Sequence, residues 1–295
     1  MISIITPIKD TPRRYFEDCI LSVLKLSTIA RYKVEWVIII DDDTRNIEDW
    51  IGAHITDNDS LNLKVIRLPS HVGLGMARNI GVANAIHPYV TWLDADDLYD
   101  PIEAEEFLFE ATHTLHHRKD IILAYSNNAE TDEDLNTLHI RDKKTFNKLH
   151  LFHRGTSLDP IYYVDFVYQC QVIRKTDFAL ANGFDAKKIG EDVDLILKLA
   201  TQHPHKTFTL IPRVAYLYRR NPNGIVHTRY SELRKINLDA YNKYASKVGV
   251  NPESREFRVM FLDIKNETLT SNPNDGVFYN TFLPSNTPET YRWKS

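Results

Sequence analysis

Five short runs of β-branched and aromatic residues recur through the first 126 residues: "ISIITPI", "VEWVIII", "LKVIRL", "YVTWL" and "DIILAYS". Helical spacing fills the intervals, with Phe16, Ile20, Val23, Leu24 and Ser27 on one stripe beside Cys19. Strand and helix in alternation predict a mostly parallel sheet covered by helices on both faces. Before the fourth run, Ala77, Gly81 and Ala85 make a small-residue helical face that lets a helix lie close to the sheet. No internal repeat is present.

The pattern fails from about Asn127 to Asp159, where "NNAETDEDLNTLHIRDKKTFNK" predicts a polar excursion or hairpin rather than core. Order returns with "VDFVYQCQVIRK", then a helical set of Val193, Ile196, Leu197 and Ala200, then strand-like "KTFTLI" and "VAYLYRR". Residues 229–247 have helical character, and the segment 266–295, rich in Asn, Pro, Ser and Thr, reads as loop or docked tail. The expected organisation is one α/β domain over residues 1–228 and a small C-terminal helical extension with a tail over 229–295.

The composition narrows the partners. With 43% hydrophobic and 11% aromatic residues, a chain of 295 residues fills a sizeable core. A formal charge of -4 and a pI near 6.3 give no general basic footprint, so no nucleic-acid partner is expected. Cys19 and Cys170 make no disulfide framework and have no metal-ligand spacing, which fits a reducing compartment. No apolar run approaches the roughly 20 residues of a membrane span. The opening "MISIITPIKD" lacks a charged leader and a small-residue cleavage site, and the expected location is cytoplasmic.

Ligands of open parallel sheets bind outside the carboxyl ends of the strands. Three polar clusters fall at such ends: Thr6, Pro7, Lys9 and Asp10; Asp41, Asp42 and Asp43; and Asp94, Asp96, Asp97 and Asp100 in "VTWLDADDLYD". Crowded carboxylates repel unless they share a proton or a cation neutralises them. If the backbone stays extended, Asp94 and Asp96 share a face and Ala95 and Asp97 the other, a disposition that suits Mg²⁺ or Mn²⁺. The same residues read equally as a polar turn, with Asp97 capping the helix that begins near Pro101. In "HVGLGMARNIGVANA", Gly73 and Gly75 permit close approach to a ligand, and Arg78 near a helix start either attracts acceptor groups or is ordinary surface. No dinucleotide fingerprint and no G-x-x-x-x-G-K-[ST] loop is present. In "GEDVDL", Glu191 and Asp192 occupy the first turn of a helix, where capping by itself accounts for them.

The ordered series "SIITPIKD", "EWVIIIDDDT", "HVGLGMARNIG", "YVTWLDADD" and "GFDAKKIGEDVDL" resembles the inverting family 2 glycosyltransferases, over roughly residues 1–220. The resemblance implies a GT-A fold, a nucleotide-diphosphate sugar donor (a UDP-sugar foremost), and Mn²⁺ or Mg²⁺. Thr6, Pro7, Asp10, Asp42, Gly73 and Arg78 would then surround the nucleotide, with Asp94, Ala95 and Asp96 as the D-x-D element and Asp96 reaching the metal. Asp192 would take the proton from the acceptor hydroxyl, supported by Glu191, and His227 in "YRRNPNGIVHTR" would close over the donor and coordinate the metal. Arg219 and Arg220 face either the diphosphate or solvent. The chain departs from the family at His71, where Asn is frequent, and at Asp43, where Gly is frequent.

Direct displacement with inversion to a carbohydrate or glycoconjugate hydroxyl is the reaction this implies, with peripheral membrane contact if the acceptor is lipid-linked. Rival readings are a sugar nucleotidyltransferase, whose glycine-rich signature "TPIKDTPRR" lacks; a haloacid dehalogenase phosphatase, whose nucleophile normally follows the first strand; and an inactive domain that only binds a nucleotide sugar or a partner. Tyr168, Gln169 and residues 229–295 are candidate acceptor contacts, and Trp92 is either a sugar-stacking or a core residue.

Overall fold

A computed structural model describes residues 1–55, 59–141, 170–186, 189–203, 206–222, 224, 228–245 and 247. Its strands are β1 (Ile2–Ile8), β2 (Val34–Asp41), β3 (Leu61–Leu68), β4 (Tyr89–Trp92), β5 (Leu98–Tyr99), β6 (Ile121–Thr131), β7 (Thr137–Arg141), β8 (Gln171–Arg174) and β9 (Thr207–Arg219). The helices are α1 (Arg13–Ile29), α2 (Ile47–Gly52), α3 (Leu74–Asn84), α4 (Pro101–His117), α5 (Lys175–Leu180), α6 (Glu191–Gln202) and α7 (Tyr230–Ala245). The strands join in one sheet of order β3-β2-β1-β4-β8-β6-β9-β5, with β7 paired to β6.

The alternation of side chains along the first strands divides the core in two. Ile4, Trp36, Ile38 and Ile40 face α1, α2 and α4, together with Phe16, Ile20, Ile47, Phe107 and Leu108. Ile5, Val37 and Ile39 face the opposite layer, with Ala77 and Val82 of α3, Val193 and Ile196 of α6, and Ala240 and Tyr244 of α7. The small-residue face of α3 has a defined use, because a Cβ at Gly81 would collide with Ile5 Cγ2.

The expected parallel arrangement holds for β3-β2-β1-β4. Beyond it the sheet is mixed, since β8 enters antiparallel between β4 and β6 while β9 runs parallel to β6. The two strand-like runs around Pro212 are one strand. The register jumps from Ser126↔Ile211 to Asn127↔Val214, a bulge that absorbs a residue unable to donate to the ladder. The excursion expected from Asn127 begins later than its polarity suggests: β6 runs buried to Thr131 and turns into β7 as a hairpin. Paired on both sides and with Glu130 bridged to Arg220, those polar residues are carried in the sheet. Within the expected C-terminal extension, α7 packs on α6 through Ala240 and Tyr244. Among the described residues, no helix is long and apolar enough to cross a membrane.

Candidate active site

At the ends of β1 and β2, neighbouring aspartates divide between framework and open surface. Asp41 is buried; one carboxylate oxygen accepts the Val72 N–H at 2.8 Å, and the other accepts the Gly73 N–H at 3.0 Å and meets His71 Nδ1 at 2.8 Å. The carboxylate therefore holds the loop in which Gly73, at φ 88°, opens α3. Asp43, also buried, accepts Arg45 Nε at 2.8 Å and the Asp10 N–H at 3.1 Å. The Arg45 guanidinium holds its pKa down at about 2. Arg45 Nη1 also donates to Thr11 O at 2.7 Å, so the β1 and β2 loops are clasped together. Asp10 and Asp42 are left exposed, both with left-handed backbone, at φ 55° and 54°. Thr6 lies inside the sheet, where its hydroxyl accepts the Trp36 indole N–H at 2.8 Å, and Pro7 is buried beside it.

The acidic run after β4 is a turn, not a continued strand: the Asp97 N–H donates to Asp94 O at 3.0 Å. Its four carboxylates accordingly diverge instead of alternating. Asp94 turns to Arg78 Nη2 at 2.5 Å. Asp96 is half-buried beside buried Ala95, and it accepts a hydrogen bond from Asn221 Nδ2 at 3.4 Å. Burial, then repulsion from Asp94, raises the Asp96 pKa. Asp97 points inward, accepting the Tyr216 hydroxyl at 2.7 Å and the Arg219 N–H at 2.8 Å. The helix cap expected of Asp97 belongs to Asp100, which accepts the Ile102 and Glu103 N–H groups at 3.1 Å each and precedes Pro101.

A carboxylate pair faces this turn from α6. Gly190, at φ 74°, leads into the helix, and Glu191 follows, buried, its Oε1 accepting Arg78 Nη1 at 3.0 Å. Half-buried Asp192 accepts its neighbour's N–H, from Val193, at 2.8 Å. Burial raises the pKa of both; the Asp192 charge adds to the rise at Glu191, while Arg78 opposes it in each case. Asp194, fully buried, meets Tyr244 of α7 at 3.2 Å and is part of the packing.

The structure thus brings Arg78, Asp94 and Glu191 into one contact set and leaves the carboxylates of Asp10, Asp42, Asp96 and Asp192 exposed or half-exposed. Arg78 is buried rather than surface, with one guanidinium N–H turned to each of two carboxylates. The clearance at Gly75 is filled by Glu191 and Phe184 rather than by a ligand. Trp92 is core, edge-on to Phe184 at 5.2 Å. Arg219 is buried against Asp18 and the Tyr15 ring, and Arg220 pairs with Glu130. His227, Tyr168 and Gln169 lie outside the described residues. Sequence reasoning missed Tyr216 and Asn221 as partners of the turn; they sit 119 and 125 residues away in sequence, and no local spacing links them.

Among the described residues, no group of three or more His, Cys, Asp or Glu forms a cation cage. The donor chemistry nonetheless suits a hard divalent ion bound together with substrate phosphates, which needs one or two carboxylates from the protein. Asp96 is crowded by like charge and, among the described residues, forms no ion pair.

These features define a GT-A-type α/β domain, with an acidic turn at the strand ends and a carboxylate pair facing it. The sequence profile of glycosyl transferase family 2 matches residues 3–178, more than half of the chain, and the protein belongs to that family. An uncharacterized glycosyltransferase of Haemophilus influenzae is 36% identical over 97 residues, which make up 33% of this chain and 36% of that one. Among solved structures, S. aureus TarS 1–349 superposes with a TM-score of 0.61 at 16% identity, over 95% of this chain and 78% of TarS 1–349. Its complex with UDP-GlcNAc gives 0.62 at 15% identity, covering 95% and 79%. At such identity the likeness is one of fold.

Proposed function

We propose that the protein is a cytoplasmic, inverting glycosyltransferase that moves a sugar from a nucleotide diphosphate, UDP foremost, to a hydroxyl of a carbohydrate or glycoconjugate. The observation that carries this reading is Arg78, whose single guanidinium touches Asp94 of the acidic turn and Glu191 of the facing pair. Donor-side and acceptor-side carboxylates are thereby within one side chain of each other, the proximity that a single displacement needs. The fold relative TarS, crystallised with UDP-GlcNAc and with UDP, supports a uridine donor.

In this reading Asp10 and Asp42, exposed on a clasped rim with Gly73 beyond them, line the nucleotide pocket, and Asp94 with Ala95 and Asp96 borders the diphosphate. Asp192 accepts the proton of the acceptor hydroxyl as its oxygen bonds to the anomeric carbon, and the bond from that carbon to the diphosphate oxygen breaks. Glu191 holds Asp192 in place. Asp96 would hold Mg²⁺ or Mn²⁺, which when bound offsets the negative charge developing on the leaving diphosphate. A lipid-linked acceptor would bring the protein to a membrane surface.

A panel of nucleotide sugars screened by thermal shift with and without Mn²⁺ identifies the donor, and transfer is then assayed in Asp192→Asn. Retained UDP binding with transfer abolished is the expected result. Undiminished transfer, or metal-independent stabilisation by all nucleotides alike, refutes it.

A further inference from the structure

Gly75 and Arg78 lie about one turn apart on α3, and both meet Glu191. A Cβ at Gly75 would stand 3.1 Å from Glu191 Cγ, 3.2 Å from Glu191 Cβ and 3.1 Å from Phe184 Cβ, tighter than ordinary van der Waals contact. The missing side chain is what lets α6 approach. Arg78 Nη1 then reaches Glu191 at 3.0 Å while Nη2 reaches Asp94 at 2.5 Å. The guanidinium is buried beside the Trp92 and Phe184 rings, 5.9 and 5.5 Å from their centroids, and among the described residues its Nε has no hydrogen-bond partner. Two carboxylates and two ring walls set its orientation.

Glu191 is braced from the other side as well. At the preceding Gly190 a Cβ would stand 2.7 Å from Asn237 Oδ1 and 3.0 Å from Ile236 Cγ2 of α7. The first turn of α6 is therefore wedged between α3 and α7. The start of α3 is in turn held by Asp41, through the Val72 and Gly73 N–H groups. A continuous set of contacts runs from the end of β2 through α3 to Glu191, whose neighbour is Asp192.

We propose that Gly75 and Arg78 are positioning residues that seat Glu191 and thereby aim Asp192 at the acceptor, making α3 the link between the donor pocket and the proton acceptor. The proposal rests on Asp192 being that acceptor. A Lys at position 78 keeps the charge but cannot donate to two carboxylates in the fork geometry of a guanidinium. An Ala at position 75 pushes Glu191 by a few tenths of an ångström, and small misplacements of reacting groups lower the rate steeply.

The test compares Gly75→Ala, Arg78→Lys, Glu191→Gln, Arg78→Lys/Glu191→Gln and Asp192→Asn by kcat and donor KM, with UDP affinity measured by calorimetry and folding checked by thermal melting. Gly75→Ala is expected to lower kcat roughly 3- to 10-fold and Arg78→Lys roughly 10- to 100-fold, with donor KM and UDP affinity within about threefold of the wild type. The double variant is expected to be no slower than the slower single one, because both act through the same contact. A crystal structure of Gly75→Ala should show the Glu191 carboxylate moved off Arg78. A loss confined to donor KM, multiplicative effects in the double variant, or an unmoved Glu191 overturns the seat. Asp192→Asn separates the two ideas: if it remains active, the proton acceptor is misassigned; if it is dead while Gly75→Ala retains full kcat, only the seat fails.

Discussion

Asp97 accepts the hydroxyl of Tyr216 at 2.7 Å, fastening the acidic turn after β4 to a strand 119 residues later in the chain. The same hydroxyl oxygen accepts the Asp94 N–H at 3.4 Å, so one phenol spans the turn. Three residues at and just beyond the end of β9 thus divide the turn among them: Tyr216 takes Asp94 and Asp97, Arg219 takes Asp97, and Asn221 takes Asp96. The geometry of Asp96 depends on how β9 ends.

Tyr216→Phe removes the phenolic bridge and leaves the buried Asp97 carboxyl short of a donor. Leaving a buried polar group unsatisfied costs about 1–3 kcal/mol. The expected result is an unfolding free energy lower by that amount, read as a lower urea midpoint at unchanged slope, with UDP binding weakened because the turn is no longer held. Unchanged stability would show that the Arg219 N–H alone fixes Asp97.

Asp43 carries a pH dependence of known sign. Its folded pKa, near 2, lies below the ordinary value of 3.8 because Arg45 and backbone donors favour the carboxylate. The stabilisation is therefore present above pH about 4 and is lost as pH falls toward 2. Solvent screening through the partly exposed Arg45 keeps it to about 1–2 kcal/mol. In Asp43→Asn, unfolding free energy should be lower at pH 7 and fall less between pH 4 and 2 than in the wild type. Parallel curves would refute the pairing.

How much of this was legible follows from where the partners lie. The two-residue period of β1 and β2 and the small-residue face of α3 are local patterns, and they translate directly into the two core layers. The acidic clusters are local too, but their division of labour is not. Asp41, Asp42 and Asp43 are indistinguishable by spacing, and only contacts with Val72, Gly73, Arg45 and Asp10 make the first and third framework and leave the second open. The departures at His71 and Asp43 have structural meaning on the same grounds, since each joins one of these clasps. Asp97 lost the cap to Asp100 because a residue of β9 claimed its carboxylate. Asn127–Thr131 escaped recognition as strand because pairing to β7 and β9 overrides their low hydrophobicity.

Asp96→Asn separates function from stability. The raised pKa means that ionised Asp96 opposes folding when no cation is bound, a penalty absent below the unfolded pKa and complete above the folded one. In EDTA at pH 7 the Asn variant should therefore melt at or above the wild-type temperature, with the difference shrinking as pH falls toward 4. Transfer in Mn²⁺ should fall on the order of 10²-fold or more, the scale for removing a preorganised charge stabiliser. A variant that is less stable in EDTA, or fully active, would contradict the assignment.

The Glu191–Asp192 pair sets the acid limb of the rate. A proton acceptor works only when ionised, so a pKa raised by burial moves the loss of activity upward, toward neutral pH. Because the two carboxyls interact, the limb belongs to the pair rather than to either residue. Under saturating Mn²⁺, kcat should decline on acidification through a pH clearly above the ordinary carboxylate range of about 4. Glu191→Gln removes the carboxyl that the Asp192 charge pushes upward, so the coupled two-step titration should reduce to a single step even as the maximal rate falls. A wild-type limb near pH 4, or an unchanged two-step limb in Glu191→Gln, would mean that this pair does not receive the acceptor proton.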